Sequence, residues 1–242
     1  MRNRTLFALF GVCFTLFALA SLPLGVTVAA FDLADRGLSF NRADGLLWSG
    51  RISGLTWRGR AIGDVAVTVS PLSLLLARLD LEVALAGPGM SGGGSITLWA
   101  NSSVVVKDFT FSSDMALLPV LLPLNGAVSM VLRHADFSRA GCRSVDADMR
   151  TDALVERPAG LDWHGPLLTG AVACRDGVLV VPLTGGDRAE AVAVTLRLIN
   201  DGTFNIQVDA RTMDETVKSV LSSIGFIYVD GAMSLTQHGR WS

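Results

Sequence analysis

Leu79-Asp80-Leu81-Glu82-Val83-Ala84-Leu85 sets Leu79, Leu81, Val83 and Leu85 against Asp80, Glu82 and Ala84, an alternation with period two. Successive side chains of an extended strand point to opposite faces, so this pattern writes a half-buried β-strand. The same period recurs in Ile62–Val69, Ser95–Trp99, Val104–Phe111, Ala127–Leu132, Gly177–Leu183, Ala191–Leu198 and Thr203–Val208. Between these runs stand Asn125-Gly126, Asp176-Gly177, Asp201-Gly202 and Asp230-Gly231. Such pairs tolerate the left-handed backbone of tight antiparallel turns. The expectation is a mainly β, antiparallel body, and alternation with one buried face permits a curved sheet, a sandwich or a partly open barrel.

The chain has 242 residues, half of them apolar and 17% charged, with a formal net charge of −2. That composition excludes a disordered polyelectrolyte and a short disulfide-framework peptide. Of the 20 basic residues only Arg2 and Arg4 precede Asp32, and none of the 22 acidic residues does, so the body is acidic overall. Nucleic acid is excluded as a partner, because phosphate binding needs a concentrated basic surface.

Residues 5–31 carry no charge. Leu6–Val28 is expected to form a transmembrane helix of about 23 residues, which at about 1.5 Å per residue covers a hydrocarbon core of about 30 Å. Arg2 and Arg4 precede it and acidic residues follow, so residues 1–5 are expected in the cytoplasm and residues 32–242 across the membrane. A cleaved signal peptide is the competing reading, with Ala18-Leu19-Ala20 as its cleavage site. Both readings export the body. Cys13 lies inside the apolar segment, leaving Cys142 and Cys174 in the exported part. An even count in an oxidising compartment suggests one disulfide, the alternative being two buried thiols.

Two short helices are expected. Asp214–Ile224 spaces Val217, Val220, Leu221 and Ile224 on one face, opens on Asp214 and Glu215, and stops at Gly225. Asp114–Leu122 takes Ser113 or Asp114 as its cap and is limited by Pro119 and Pro123. Each follows a strand and precedes an NG or DG turn and another strand, which reads as an internal duplication spaced by about 100 residues, over about 95–140 and 191–241.

Trp48, Trp57 and Trp163 share the pattern W-x-G, and with Trp241 they are expected to anchor strand ends rather than stack on a ligand. Arg51, Arg58 and Arg60 form a local basic cluster, more fitting for a solvated sheet edge than for a binding patch. No catalytic, cofactor-binding or metal-ligating set emerges. His134, His164 and His238 lack ligand spacing, and no G-x-S-x-G elbow surrounds a serine. Gly87-Pro88-Gly89-Met90-Ser91-Gly92 satisfies G-x-G-x-x-G, yet it sits between strands, where no helix N-terminus could take a pyrophosphate. Asp146 and Asp148 share one side of a strand, but Arg143 and Arg150 nearby favour a surface charge ladder over an acid/base pair.

Gly45-Leu46-Leu47-Trp48-Ser49-Gly50-Arg51, then Gly54-Leu55-Thr56-Trp57 and Ser70-Pro71-Leu72, together resemble the type II secretion system protein N family of Gram-negative bacteria. So do the region of Cys142 and Cys174-Arg175-Asp176-Gly177, and the ending Leu221 through Gly225-Phe226 and Asp230-Gly231 to Gly239-Arg240-Trp241. The resemblance implies a single-pass inner-membrane protein with a periplasmic β domain, an accessory part of the machine exporting folded proteins, with no catalytic residues and no cofactor. Its implied partners are inner-membrane platform subunits, with the outer-membrane secretin as a further candidate. The helix-plus-strand recurrence is also similar to periplasmic β-groove proteins of lipid traffic. Two functions therefore stand open: docking of other subunits through a strand edge or helix face, and carriage of a lipid on an apolar face left open.

Overall fold

The computed structural model describes residues 10, 11, 14, 21–25, 37–57, 59–115, 126–155 and 164–240. The chain divides into two compact units, Met1–Met90 and Ser91–Ser242.

The first unit is built on β1 (Leu38–Ser39), β2 (Arg42–Leu46), β3 (Ser49–Trp57), β4 (Arg60–Ser70) and β5 (Arg78–Gly87). β1 and β2 lie along one side of β3, β4 along the other, and β5 beyond β4, all antiparallel. Between β4 and β5 the chain makes a 3-10 helix, Pro71–Leu76, which ends on Ala77 in the left-handed region. Leu22 and Pro23 also belong to this unit: the Leu47 amide donates to the Leu22 carbonyl at 2.9 Å, and Pro23 bridges Leu46.

That bridge falls inside the expected Leu6–Val28 helix. The backbone leaves helical geometry at Ser21–Pro23 and resumes it at Leu24, so no unbroken helix runs from Leu6 to Val28. Proline offers no amide to the preceding turn, and the Leu22 carbonyl is taken by the sheet instead. Most of the 6–28 segment lies outside the described residues, as do residues 1–5; among the described residues no helix is long and apolar enough to cross a membrane.

The second unit holds nearly all of β6 (Met90–Trp99), then β7 (Val104–Asp114), β8 (Ala127–Ser138), β9 (Gly141–Thr151), β10 (Leu168–Arg175), β11 (Val178–Gly186), β12 (Ala191–Leu198), β13 (Thr203–Arg211), α1 (Glu215–Ser223), β14 (Ile227–Val229) and β15 (Ala232–Arg240). From β6 to β13 every strand pairs with its sequence neighbour; β15 then pairs with β13, and β14 closes the order. Among the described residues the strands form one open antiparallel sheet rather than two packed layers. Two of the four turn pairs, Asp176-Gly177 and Asp230-Gly231, have both residues at positive φ, as a two-residue turn matched to strand twist requires.

One apolar face runs through this unit. Ala135, Ala147, Val172, Val181, Val192, Ala210 and Met233 are buried on it, strand after strand, and Phe226 joins them. Gly170 is required for close approach: a Cβ there would meet the Pro182 carbonyl oxygen at 1.6 Å. Cys142 and Cys174 form a disulfide, with Cα atoms 5.5 Å apart. It fastens β9 to β10 beyond the point where their ladder stops, at Ala147 opposite Val172.

The helix at 214–224 forms nearly as read. Asp214 caps α1, its carboxylate accepting from the amides of Thr216 and Val217, and Gly225 follows the last turn at φ +100°. The other expected helix begins differently: Ser113 and Asp114 are strand residues, opposite Val128 and Ala127, and Ser113 is buried. Positions 116–122 lie outside the described residues.

One local structure occurs twice at the spacing of the expected duplication. Between β6 and β7 the Trp99 amide donates to the Ser103 carbonyl at 2.9 Å, and Asn101 Oδ1 accepts from the Ser103 amide and hydroxyl at 3.0 and 2.7 Å. Between β12 and β13 the Ile199 amide donates to the Thr203 carbonyl at 2.9 Å, and Asp201 Oδ1 accepts from the Thr203 amide and hydroxyl at 2.9 and 2.5 Å. Ser102 and Gly202 occupy the same left-handed position.

Asp214→Ala leaves two amides of the first helical turn without an acceptor, and is expected to lower the unfolding free energy by about 1 kcal/mol in a urea titration. Replacing both Cys142 and Cys174 by Ser, which opens a loop with a sequence separation of 32, is expected to cost about 3 to 4 kcal/mol on chain-entropy grounds, with a lower urea midpoint.

Candidate functional site

The polar face of the sheet holds its charges in mutual contact. β8 and β9 are opposed with an irregularity between Leu132 and His134, which sets Arg133 against β9. Its Nε donates to Asp146 Oδ2 at 2.9 Å, its Nη2 to Asp146 Oδ1, and its Nη1 to Asp148 Oδ2 at 2.8 Å. The Arg133 guanidinium holds the Asp146 carboxyl below the usual carboxylate range, chiefly through its hydrogen bonding to that carboxylate and against an opposing desolvation. Asp146 and Asp148 are thus the arms of one exposed ion-pair fork. The central cation differs from the expected one: Arg143 turns to Asp136 at 3.6 Å, and Arg133 takes the two carboxylates. The signal was one strand away, in an exposed arginine between the residues paired with Ala147 and Asp146.

The other chemistry-bearing residues are dispersed. His134 lies in β8 opposite Lys107 and Asp146, and His238 in β15 opposite Asn205. His164 Nδ1 is 3.1 Å from the Val155 carbonyl oxygen. Among the described residues no three His, Cys, Asp or Glu side chains come together in a way that could hold a metal ion. Pro88 and Gly89 make the turn between β5 and β6, two strands, so the Gly-rich run opens no helix. Trp48 sits in the turn between β2 and β3, its carbonyl accepting from the Val69 amide at 2.8 Å. Trp57 ends β3 opposite Leu38 and Arg60. Trp163 and Trp241 lie outside the described residues, as does Arg58; Arg51 is exposed on β3.

What the second unit does offer is an apolar sheet edge. The connection from β13 to β15 first lays α1 on the sheet: Val217 is buried, and Leu221 packs against the core beside Phe226. The Phe226 amide donates to the Leu221 carbonyl at 3.0 Å, turning the chain out of the helix and into β14. Ile227, Tyr228 and Val229 then form the last strand of the sheet, and Ile227 and Tyr228 are 65% and 66% exposed. Met213 and Ile224, at the two ends of α1, are exposed as well. Lys218 pairs with Glu215 at 2.7 Å, and its ammonium is held above the usual lysine range by that bond and, more weakly, by Tyr228, against partial desolvation.

The backbone of this edge has a defined direction. β14 and β15 meet in a two-residue turn with Val229 opposite Ala232, Tyr228 opposite Met233 and Ile227 opposite Ser234. In such a hairpin the residues flanking the turn exchange hydrogen bonds and the next pair does not. Tyr228 therefore points its amide and carbonyl away from β15, to the open side. Phe226-Ile227-Tyr228-Val229 is an apolar run between Gly225 and Asp230 in which only Phe226 is buried. The sequence shows the run but not which of its members face water.

A family model described as type II secretion system (T2SS), protein N, matches residues 36–236. No curated protein and no solved structure matches the chain. The matched span takes in both units, the disulfide and the β14 edge, and covers most of the chain. The chain belongs to the type II secretion system protein N family and is a component of that secretion system.

Proposed function

We propose that this chain is an accessory inner-membrane component of the type II secretion system that supports export of folded proteins across the outer membrane by docking other subunits. Its uncharged N-terminal segment attaches it to the inner membrane with residues 1–5 in the cytoplasm, and the β body lies in the periplasm. The basis of the attachment is the uncharged run 5–31 behind Arg2 and Arg4.

The observation that carries the docking role is the β14 edge. An unpaired strand edge with alternate apolar side chains is the template for β-addition, in which main-chain hydrogen bonds give affinity and side-chain pockets give specificity. The partners proposed are other secretion subunits, first those of the inner-membrane platform and then the secretin. The disulfide between Cys142 and Cys174 supports a periplasmic location, since such bonds persist in oxidising compartments.

A second reading, binding or carriage of lipid, rests on a different observation. The apolar face of the second unit includes half-buried Phe109, Phe137, Leu179, Leu196 and Leu235, and among the described residues α1 is the one helix packed on it. A face of that kind can also hold an acyl chain.

Tyr228→Pro removes the outward amide while leaving the β14–β15 hydrogen bonds in place. Affinity-purified full-length Tyr228→Pro is expected to recover the platform subunits at least tenfold less than the parent chain, with an unchanged thermal midpoint. Equal recovery would sink the edge as the docking element. Native mass spectrometry of the same preparations separates the two readings: phospholipid that persists on both chains, with no subunit captured, assigns the protein to lipid binding.

A further inference from the structure

The turn between β4 and β5 carries the largest group of exposed leucines among the described residues of the first unit. Leu72 and Leu75 are 73% and 84% exposed, and Leu74 and Leu76 are exposed as well. No charge occurs from Ser70 to Ala77. Soluble surfaces scatter single leucines, but four on one short turn make a patch that calls for an apolar environment.

The turn is built to hold these leucines outward. Ser73, the one buried residue of the 3-10 helix, donates its hydroxyl to the Ser70 carbonyl at 2.6 Å and accepts from the Asp80 amide at 3.1 Å. Ala77, in the left-handed region, closes the helix by donating to the Leu74 carbonyl at 3.1 Å. The small polar residue points inward to the strands, and its leucine neighbours point away. Arg78 and Asp80, the first charges beyond the turn, pair with each other at 3.1 Å. The tip therefore shows neither a net charge nor a charge pattern that a protein partner could complement.

The position of the turn names its occupant. Ser49 is opposite Thr68 and Ser70 is opposite Asp80, so the β2–β3 turn and the leucine turn lie at one end of the sheet. Leu22 and Pro23 meet Leu46 and Leu47 at that same end. Leu22 and Pro23 of the uncharged run 5–31 thus meet the sheet at the same end as the four leucines, and exposed Leu46 lies at that junction. The Gly87-Pro88-Gly89 turn is at the far end of β5, about 30 Å away at about 3.3 Å per residue.

We propose that the leucine turn Pro71–Leu76 inserts into the interfacial layer of a lipid bilayer, as a membrane contact of the first unit distinct from the N-terminal apolar segment. Hydrocarbon asks for no hydrogen bond or charge, which is what the tip lacks, and the adjoining uncharged run brings the bilayer to this end of the sheet. A contact at the tip fixes the orientation of the unit on the membrane, where one chain segment alone would leave it free to tilt. It does not depend on subunit docking at β14, so loss of either leaves the other testable.

The test uses the full chain in vesicles of phosphatidylethanolamine and phosphatidylglycerol. Photoreactive p-benzoylphenylalanine replaces Leu75 in one preparation, Pro88 in a second and Leu46 in a third. After irradiation, mass spectrometry is expected to find phospholipid adducts at position 75 at least tenfold above those at position 88. Adducts at 46 are expected to fall at least fivefold when Leu72→Asp and Leu75→Asp are added, with an unchanged thermal midpoint, since both leucines are exposed. Equal lipid labelling at 75 and 88, labelling at 75 that goes to a second copy of the chain, or adducts at 46 unmoved by the two substitutions would each overturn the proposal.

Discussion

A sheet satisfies its backbone polar groups only through neighbouring strands, and in the second unit each neighbour from β6 to β13 is the next strand in the chain. Everything else follows from that arrangement. Antiparallel pairing in register keeps one set of alternating side chains on one face across the unit, so Ala135, Val172, Val181, Val192 and Met233 contribute to a single core from five strands. The opposite face is left to charge, which is why Arg133 can span Asp146 and Asp148 in the open. Such exposed pairs stabilise the fold little; their weight is in keeping this face polar and the register unambiguous. An open sheet must also end, and at β14 it does so on exposed apolar residues, which is what makes that edge the candidate for a partner.

Much of this order was legible because alternation is a local signal. β12 matches Ala191–Leu198 residue for residue, and α1 lies within one residue of its expected bounds because Asp214 and Gly225 are strong caps. β3 and β10 were harder to see: Gly50 and Gly54 in one, and Gly170, Ala171 and Ala173 in the other, dilute the contrast between faces. Those small residues are there for packing, as the approach of Pro182 to Gly170 demonstrates. Ser113 and Asp114 both suit a helix cap, but pairing with Val128 and Ala127 holds them in β7. Tertiary pairing overrode a local preference.

The candidate sites were less legible, for a physical reason. Hydropathy tells which side chains would rather leave water, not which of them succeed. Leu75 and Leu81 have the same side chain, yet one stands out in solvent and the other is half-buried in β5. Phe226 and Ile227 are adjacent, and only the first reaches the core. The break at Leu22–Pro23 is of the same kind: a proline within an apolar run weakens a membrane helix without forbidding it, and only the pairing of Leu22 with Leu47 shows that the chain joins the sheet there. The leucine turn, the strand edge and this junction are all apolar groups at sheet boundaries, where sequence pattern is weakest.

The bond between Cys142 and Cys174 has a consequence for assembly fidelity. β9 and β10 are joined by a long connection, which does little to dictate how far one strand slides along the other. Because side chains alternate faces, a slip of one residue would send one sulfur to the wrong side of the sheet and leave the pair unable to close. Oxidation of this pair would therefore act as a checkpoint on strand alignment, locking in the chains whose middle strands are correctly matched and leaving misaligned ones chemically distinguishable by their free thiols.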